Sequence, residues 1–181
     1  FSMINSRLRV CLAALFGAAG MCYATSSIHA APAVTTTTPQ AVAPGQQIDV
    51  KLRGSGLAGA SKLWTQFGAA AQLTPDVKDN GKNAVEVTWR LNVPANVPVG
   101  IHGLRVAGPS GVSSLKLIMV DDLPSVAAAG NTTIDKAQER ALLTAVDGTM
   151  ANLSRNYYRI KVAAGQKLSF EVVARRLGSA L

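Results

Sequence analysis

Alternating apolar and polar residues mark the clearest β-strands of this chain. In residues 48–53 apolar and charged side chains alternate strictly, and in Asn83–Val93 the residues Val85, Val87, Trp89 and Leu91 fall on one side. A two-residue period predicts half-buried strands, because successive side chains of a strand point to opposite faces. Shorter runs predict three further strands, at Lys62–Phe67, Ile101–Ala107 and Ser114–Val120.

Residues that favour turns separate these strands at intervals of about ten residues. They include Pro75, Asn80–Gly81, Pro94 and the segment Gly108–Gly111. Many short strands with regular turns, and no long amphipathic helix, are typical of a small antiparallel sandwich. The pattern therefore predicts an all-β fold, with an immunoglobulin-like sandwich over residues 47–121.

The segments on either side of this sandwich have weaker patterns. Residues 31–46 are rich in threonine and proline and are predicted to form an extended leader, and residues 122–133 a linker. Ala137–Val146 is expected to be strand or irregular, whereas Tyr157–Val162 and Lys167–Ala174 are predicted strands. Two or three strands do not bury a core by themselves. Residues 134–181 are thus expected to be the first part of an incomplete second β-domain.

The N-terminus has the composition of a secretory signal. Arg7 and Arg9 precede an uncharged apolar run of 14 residues, Val10–Tyr23, which is too short to cross about 30 Å of hydrocarbon. A basic start, a short apolar segment and small residues near Ala30 predict a signal peptide over residues 1–30. An uncleaved membrane anchor is the alternative. The protein is expected to be exported, to the periplasm, the cell surface or the medium.

Removal of this signal lowers the net charge and removes both cysteines from the chain. Arg7 and Arg9 leave and no acidic residue does, so the net charge falls from +8 to +6. Cys11 and Cys22 leave as well, which excludes a disulfide, a thiol nucleophile and a cysteine-ligated metal in the mature chain. The remaining positive charge is scattered and lacks a nucleic-acid motif, so no nucleic-acid partner is expected. Weak attraction to anionic envelope polymers is compatible with it.

Several segments resemble a known arrangement of domains. They are Gly100–Val106 (Gly-Ile-His-Gly-Leu-Arg-Val), Gly111–Ser114, Val120–Pro124, Val146–Thr149 and Tyr157–Phe170. They are similar to large secreted or surface proteins of planctomycete-type bacteria, in which an immunoglobulin-like domain of the IPT/TIG kind precedes a bacterial pre-peptidase C-terminal (PPC) domain. The resemblance implies a jelly-roll-like second domain and an accessory role. The aspartate-rich segment that usually follows in PPC domains has no counterpart here, so no metal site is carried over from it.

The polar residues suggest no catalytic site. His102, the single histidine of the mature chain, alternates with Leu104 and Val106, so a packed or edge histidine is expected rather than a member of a serine triad. Asp76, Asp79 and Asn80 lack the spacing of a calcium loop and are expected in a solvated turn. The pair Asp121–Asp122 is expected to be a linker or strand cap, with a metal site as the alternative.

The two tryptophans have different surroundings in the sequence. Trp89 is expected in the core of the sandwich. Trp64 shares a strand face with Lys62 and Gln66. It is expected either to be buried by a loop or by the second domain, or to be exposed and to stack on a sugar ring.

Together these observations predict a non-catalytic exported module that acts as a spacer, scaffold or interaction domain, with no cofactor and no metal. Protein or envelope-polymer partners are expected. The first alternative is an accessory region of a secreted hydrolase whose catalytic domain lies outside these residues. The second is a carbohydrate-binding module that uses Trp64.

Overall fold

The computed structural model describes residues 30–178, whose regular structure is almost entirely β-strand. The predicted signal peptide, apart from Ala30, lies outside the described residues. The nine strands of the first unit are β1 (Ala33–Thr38), β2 (Ala41–Val42), β3 (Gln47–Ser55), β4 (Lys62–Thr65), β5 (Ala70–Leu73), β6 (Glu86–Asn92), β7 (Gly100–Gly108), β8 (Gly111–Val112) and β9 (Lys116–Val120). In residues 30–178 no helix is long and apolar enough to cross a membrane.

These strands form the all-β sandwich that the alternation predicts. The first sheet has the order β1-β3-β6-β5, and every pair in it is antiparallel. The second sheet has the order β2-β9-β7-β4, with β8 paired to β7. Its pairs are antiparallel except that of β2 with β9, which is parallel. Flanking this pair, Met119 N donates to Gln40 O at 2.9 Å and Asp121 N donates to Val42 O at 3.0 Å.

The core lies between the two sheets. Its fully buried members come from alternate positions of the central strands: Val50, Leu52, Val87, Leu91, Leu104, Val106, Ile118 and Val120. Trp89 is only 2% exposed and stands opposite Val50 and Leu73, which confirms its expected place in the core. Val85 is exposed, so its assignment to the same buried face is wrong. It precedes the first residue of β6 and lies outside the paired region.

The predicted extended leader is part of the sandwich. Residues 33–38 form β1 at the edge of the first sheet, and residues 41–42 form β2 at the edge of the second. Val34, Thr37 and Val42 are buried there. The sandwich therefore begins at Ala33 instead of residue 47, and its first segment passes from one sheet to the other.

Gly54 permits the close approach of β1. It lies within β3 opposite Val34, where the register shifts between Val34 and Thr36. A Cβ atom built on Gly54 would overlap the carbonyl group of Ala33. The alternation of residues 48–53 stops before Gly54, whereas the strand continues through this glycine to Ser55.

The C-terminal segment contains four short strands: β10 (Ser125–Ala127), β11 (Gln138–Arg140), β12 (Ala145–Asp147) and β13 (Tyr158–Ile160). β10 pairs with β12 and β11 pairs with β13, both in parallel. In each pair the partners are 20 positions apart, as in Ser125 with Ala145 and Gln138 with Tyr158. This part of the chain thus forms two successive coils of similar length, joined to each other by the parallel pairs.

The predicted strand at Lys167–Ala174 is not formed. Phe170 and Val172, which fall on one side of the alternating stretch, are 71% and 83% exposed. Alternation gives a stretch a potential apolar face, but a strand also needs a neighbouring edge to pair with, and none lies beside these residues in the described structure. The following short 3-10 turn, Arg175–Leu177, lies near β9 and buries Leu177.

Because its apolar side chains are so exposed, the C-terminal segment is expected to open more readily than the sandwich. In amide hydrogen exchange of the mature chain, residues 157–174 should lose protection well before residues 86–91. Concentration-dependent protection of Tyr158–Ile160 would show that its open strand edge pairs with a second copy. Protection of residues 157–174 equal to that of β6, in a proven monomer, would contradict the prediction.

Candidate functional site

Trp64 lies on the outer face of the second sheet. In the segment 62–67, Leu63, Thr65 and Phe67 are buried, whereas Lys62, Trp64 and Gln66 are exposed. Trp64 is 49% exposed. The expectation that a loop or the C-terminal segment buries this side chain is therefore wrong. The alternative expectation, an exposed indole, agrees with the structure.

The neighbours of Trp64 come from β7 and from the segment before β9. Arg105 stands directly opposite Trp64 in the β4–β7 pair and is exposed on the same face. Leu115 covers Gly103, so closely that a Cβ atom on this glycine would overlap the leucine, and remains 47% exposed. The group Lys62, Trp64, Gln66, Arg105 and Leu115 is called the Trp64 face below.

Gln66 fixes the end of the strand that carries Trp64. Gln66 N donates to Gly103 O at 2.8 Å, and its side-chain Oε1 accepts a hydrogen bond from Gly103 N at 3.0 Å. Both bonds extend the β4–β7 pairing beyond Thr65. The residues before and after Trp64 are both paired with β7. The backbone that carries the indole is therefore held in place.

The Trp64 face carries uncompensated positive charge. Strands β4, β7 and β9 contain no aspartate or glutamate. Among residues 30–178, Lys62 and Arg105 take part in none of the ion pairs. The potential over this face is therefore positive next to an exposed aromatic ring.

The outer face of the first sheet is different, because its cations are paired. Arg90 donates to both carboxylate oxygens of Asp49, at 2.8 and 3.0 Å, and this holds the pKa of Asp49 below its usual value. Lys51 and Arg53 both contact Glu86, and their hydrogen bonds lower the pKa of that carboxyl group. The two outer faces of the sandwich thus differ in charge, and only the second presents an exposed tryptophan.

His102 is a packed histidine, as expected. It is half-buried, its Nε2 is 2.9 Å from Pro98 O, and its ring stands edge-on to that of Phe67 with centroids 5.6 Å apart. In the part of the chain that the structure describes, its hydrogen-bonding partner is this backbone carbonyl rather than a serine or a carboxylate. The arrangement lacks the contacts of a nucleophile and its general base.

The acidic turn after β5 is a structural turn, as expected. Asn80 Nδ2 donates to Thr74 O and Thr88 O, and its Oδ1 accepts from Thr88 N at 2.9 Å. These bonds attach the turn to β6. Two ion pairs hold the carboxylates of this turn: Asp76 with Arg90 and Asp79 with Lys82.

Asp121 caps the end of β9, also as expected. Its Oδ1 accepts a hydrogen bond from Leu123 N at 3.1 Å, while Asp122 is exposed beside it. Asp147, on β12, accepts from Gln40 N through Oδ2 at 2.6 Å and so connects the C-terminal segment to the sandwich. Within residues 30–178 no three histidine, cysteine or acidic residues are grouped closely enough to hold a metal ion.

A cleft of about 1150 Å³ lies between the start of the sandwich and the C-terminal segment. Residues 37–46, 121–132 and 147–149 make up most of its walls, mainly with small side chains and backbone. The carboxylates of Asp121 and Asp147 on this wall are already engaged by backbone N–H groups. These two carboxylates therefore serve structural contacts in the cleft.

No protein-family model matches the chain, and no curated protein matches it. The resemblance to secreted proteins with IPT/TIG-like and PPC domains therefore stays a prediction.

Sequence reasoning identified Trp64, Lys62 and Gln66 as one face but missed Arg105 and Leu115. The exposure of Arg105 follows from its position between Leu104 and Val106. Its place opposite Trp64 depends on the register between β4 and β7, which the sequence does not give. Leu115 precedes β9 and could be placed only from the path of its backbone.

Proposed function

We propose that this protein is a non-catalytic, exported β-sandwich module that acts as a spacer, scaffold or interaction domain of a larger secreted or cell-surface protein. The observation that carries the proposal is the contrast between its polar groups. His102, Asn80 and Asp121 serve structural contacts, whereas the Trp64 face remains exposed and unneutralised. Such a surface on a sheet suits binding, whereas the polar side chains engaged in structural contacts suit stability.

A carbohydrate-binding role is the second candidate, because Trp64 is exposed. An accessory role beside a secreted hydrolase is compatible with the same module, since targeting domains also present binding faces. The coding sequence downstream of Leu181 discriminates between a hydrolase and a structural protein. A catalytic domain there would favour the accessory role.

No hydrolysis of peptide, ester or glycoside substrates is expected from residues 31–181. Since His102 is held by Pro98 O and Phe67, the substitution His102→Ala is expected to alter packing and to leave this result unchanged. Chromogenic substrates of the three classes, assayed with wild type and H102A in parallel, provide the measurement. Turnover that disappears in H102A, while circular dichroism shows an intact fold, would overturn the non-catalytic proposal.

A further inference from the structure

We infer that the Trp64 face binds an anionic polysaccharide, with a sugar ring stacked on the indole and the acidic groups of the polymer held by Lys62 and Arg105. The inference rests on the proposed function, and it names the partner class that the interaction module would take. It is carried by two features of the face: its shape and its charge.

The shape suits a sugar ring. The indole of Trp64 stands on the edge strand β4, whose residues before and after it are paired with β7, and it is 49% exposed. The face of an indole is apolar and electron-rich, so it attracts the apolar C–H face of a pyranose. Leu115 adds apolar surface next to it. A flat support of this kind requires no rearrangement before binding, which limits the entropic cost of binding.

The charge selects an acidic polymer over a neutral one. Arg105 stands opposite Trp64, so their Cβ atoms are about 5 Å apart. Lys62 lies two residues away on the same strand face, at about 7 Å. Two cations therefore lie next to the indole, with no carboxylate on β4, β7 or β9. A guanidinium group binds a carboxylate or sulfate through two parallel hydrogen bonds.

The first test compares polymers of opposite character. We expect purified residues 31–181 to bind polygalacturonate in calorimetric titrations and to bind dextran, a neutral polymer, at least about tenfold more weakly. Binding to polygalacturonate should weaken as salt is added, because exposed charges are screened. Equal affinity for dextran would overturn the assignment of an anionic ligand.

The second test locates the site with matched variants. Trp64→Ala is expected to weaken binding about tenfold, whereas Trp64→Tyr should keep most of it because an aromatic face remains. Arg105→Gln and Arg53→Gln each remove one arginine from an exposed strand position, on opposite sheets. Only Arg105→Gln should weaken binding. Equal loss in both variants would show general attraction to the basic protein and would overturn the site.

Fluorescence quenching provides a signature that a purely structural role of Trp64 would not give. Trp89 is buried and Trp64 is half exposed, so acrylamide should quench mainly Trp64. Polygalacturonate is expected to protect this emission, and dextran is not. Unchanged quenching at saturating polygalacturonate would place the polymer elsewhere and overturn the inference.

Failure of this inference is separable from failure of the proposed function. If no polysaccharide binds and a protein partner is captured that requires Trp64, the inference is overturned and the interaction module stands. Hydrolysis that depends on His102 would overturn the non-catalytic proposal, even when polygalacturonate still protects Trp64.

Discussion

Replacement of Trp89 by alanine is expected to lower the free energy of unfolding by about 3–5 kcal/mol. Trp89 is 2% exposed between the sheets and contributes the largest fully buried side chain of the core. Total stabilities of small domains are about 5–15 kcal/mol, and Cys11 and Cys22 both lie in the predicted signal, so no disulfide offsets the loss. Urea unfolding followed by circular dichroism measures the change.

Two further variants control this experiment. In the described structure the buried Nε1 of Trp89 has no hydrogen-bond partner, so Trp89→Phe removes an unsatisfied donor and should cost less than the alanine variant. Trp64→Ala, at an exposed position, should stay within about 0.5 kcal/mol of wild type. A nearly neutral effect of Trp89→Ala would show that the core is centred elsewhere.

Gly54→Ala is expected to destabilise the sandwich by about 3 kcal/mol, at the upper end of the usual cost of overpacking. The added Cβ atom would overlap the backbone of Ala33, so β1 has to move away from β3. That movement exposes Val34 and Thr37, which are buried in the wild type. Urea unfolding gives the magnitude, and hydrogen exchange should show lost protection in Ala33–Thr38.

A double-mutant cycle separates displacement of β1 from damage to β3. Deletion of residues 31–38 should cost much less in the Gly54→Ala background than in the wild type, since the strand is already displaced. The neighbouring exposed residue supplies the matched control, because Ser55→Ala should be within about 0.5 kcal/mol of neutral. Strictly additive effects of the deletion and of Gly54→Ala would contradict the explanation.

Alternation predicted the strands in which one face is strongly apolar and the other charged. The strands β3 and β6 have this contrast, whereas β4, β7 and β9 were predicted from shorter runs between turns, and all five were found. β1 and β5 consist mainly of threonine and alanine, whose two faces hardly differ in polarity. They are strands because a neighbouring edge pairs with them, and that edge exists only in the folded sheet.

The same limit explains the error at Lys167–Ala174. Residues 167–172 alternate much as β3 does, yet no described strand pairs with them. Conversely, the parallel pairs of β10 with β12 and of β11 with β13 join residues that are 20 positions apart. A strand of three residues is too short for its sequence pattern to indicate such a pairing. The Trp64 face could be predicted only in part. Alternation gave the exposed side of β4, and the register with β7 supplied the arginine.

The parallel pairing of β2 with β9 has a mechanical consequence. Once tension has drawn β1 away from β3, a pull on both ends of the chain acts before β2 and after β9. Tension would then slide these two strands past each other along their length. The hydrogen bonds from Met119 N to Gln40 O and from Asp121 N to Val42 O run across that direction, so they would have to break together and not one after another. A sandwich closed in this way resists stretching through the kinetics of its unfolding.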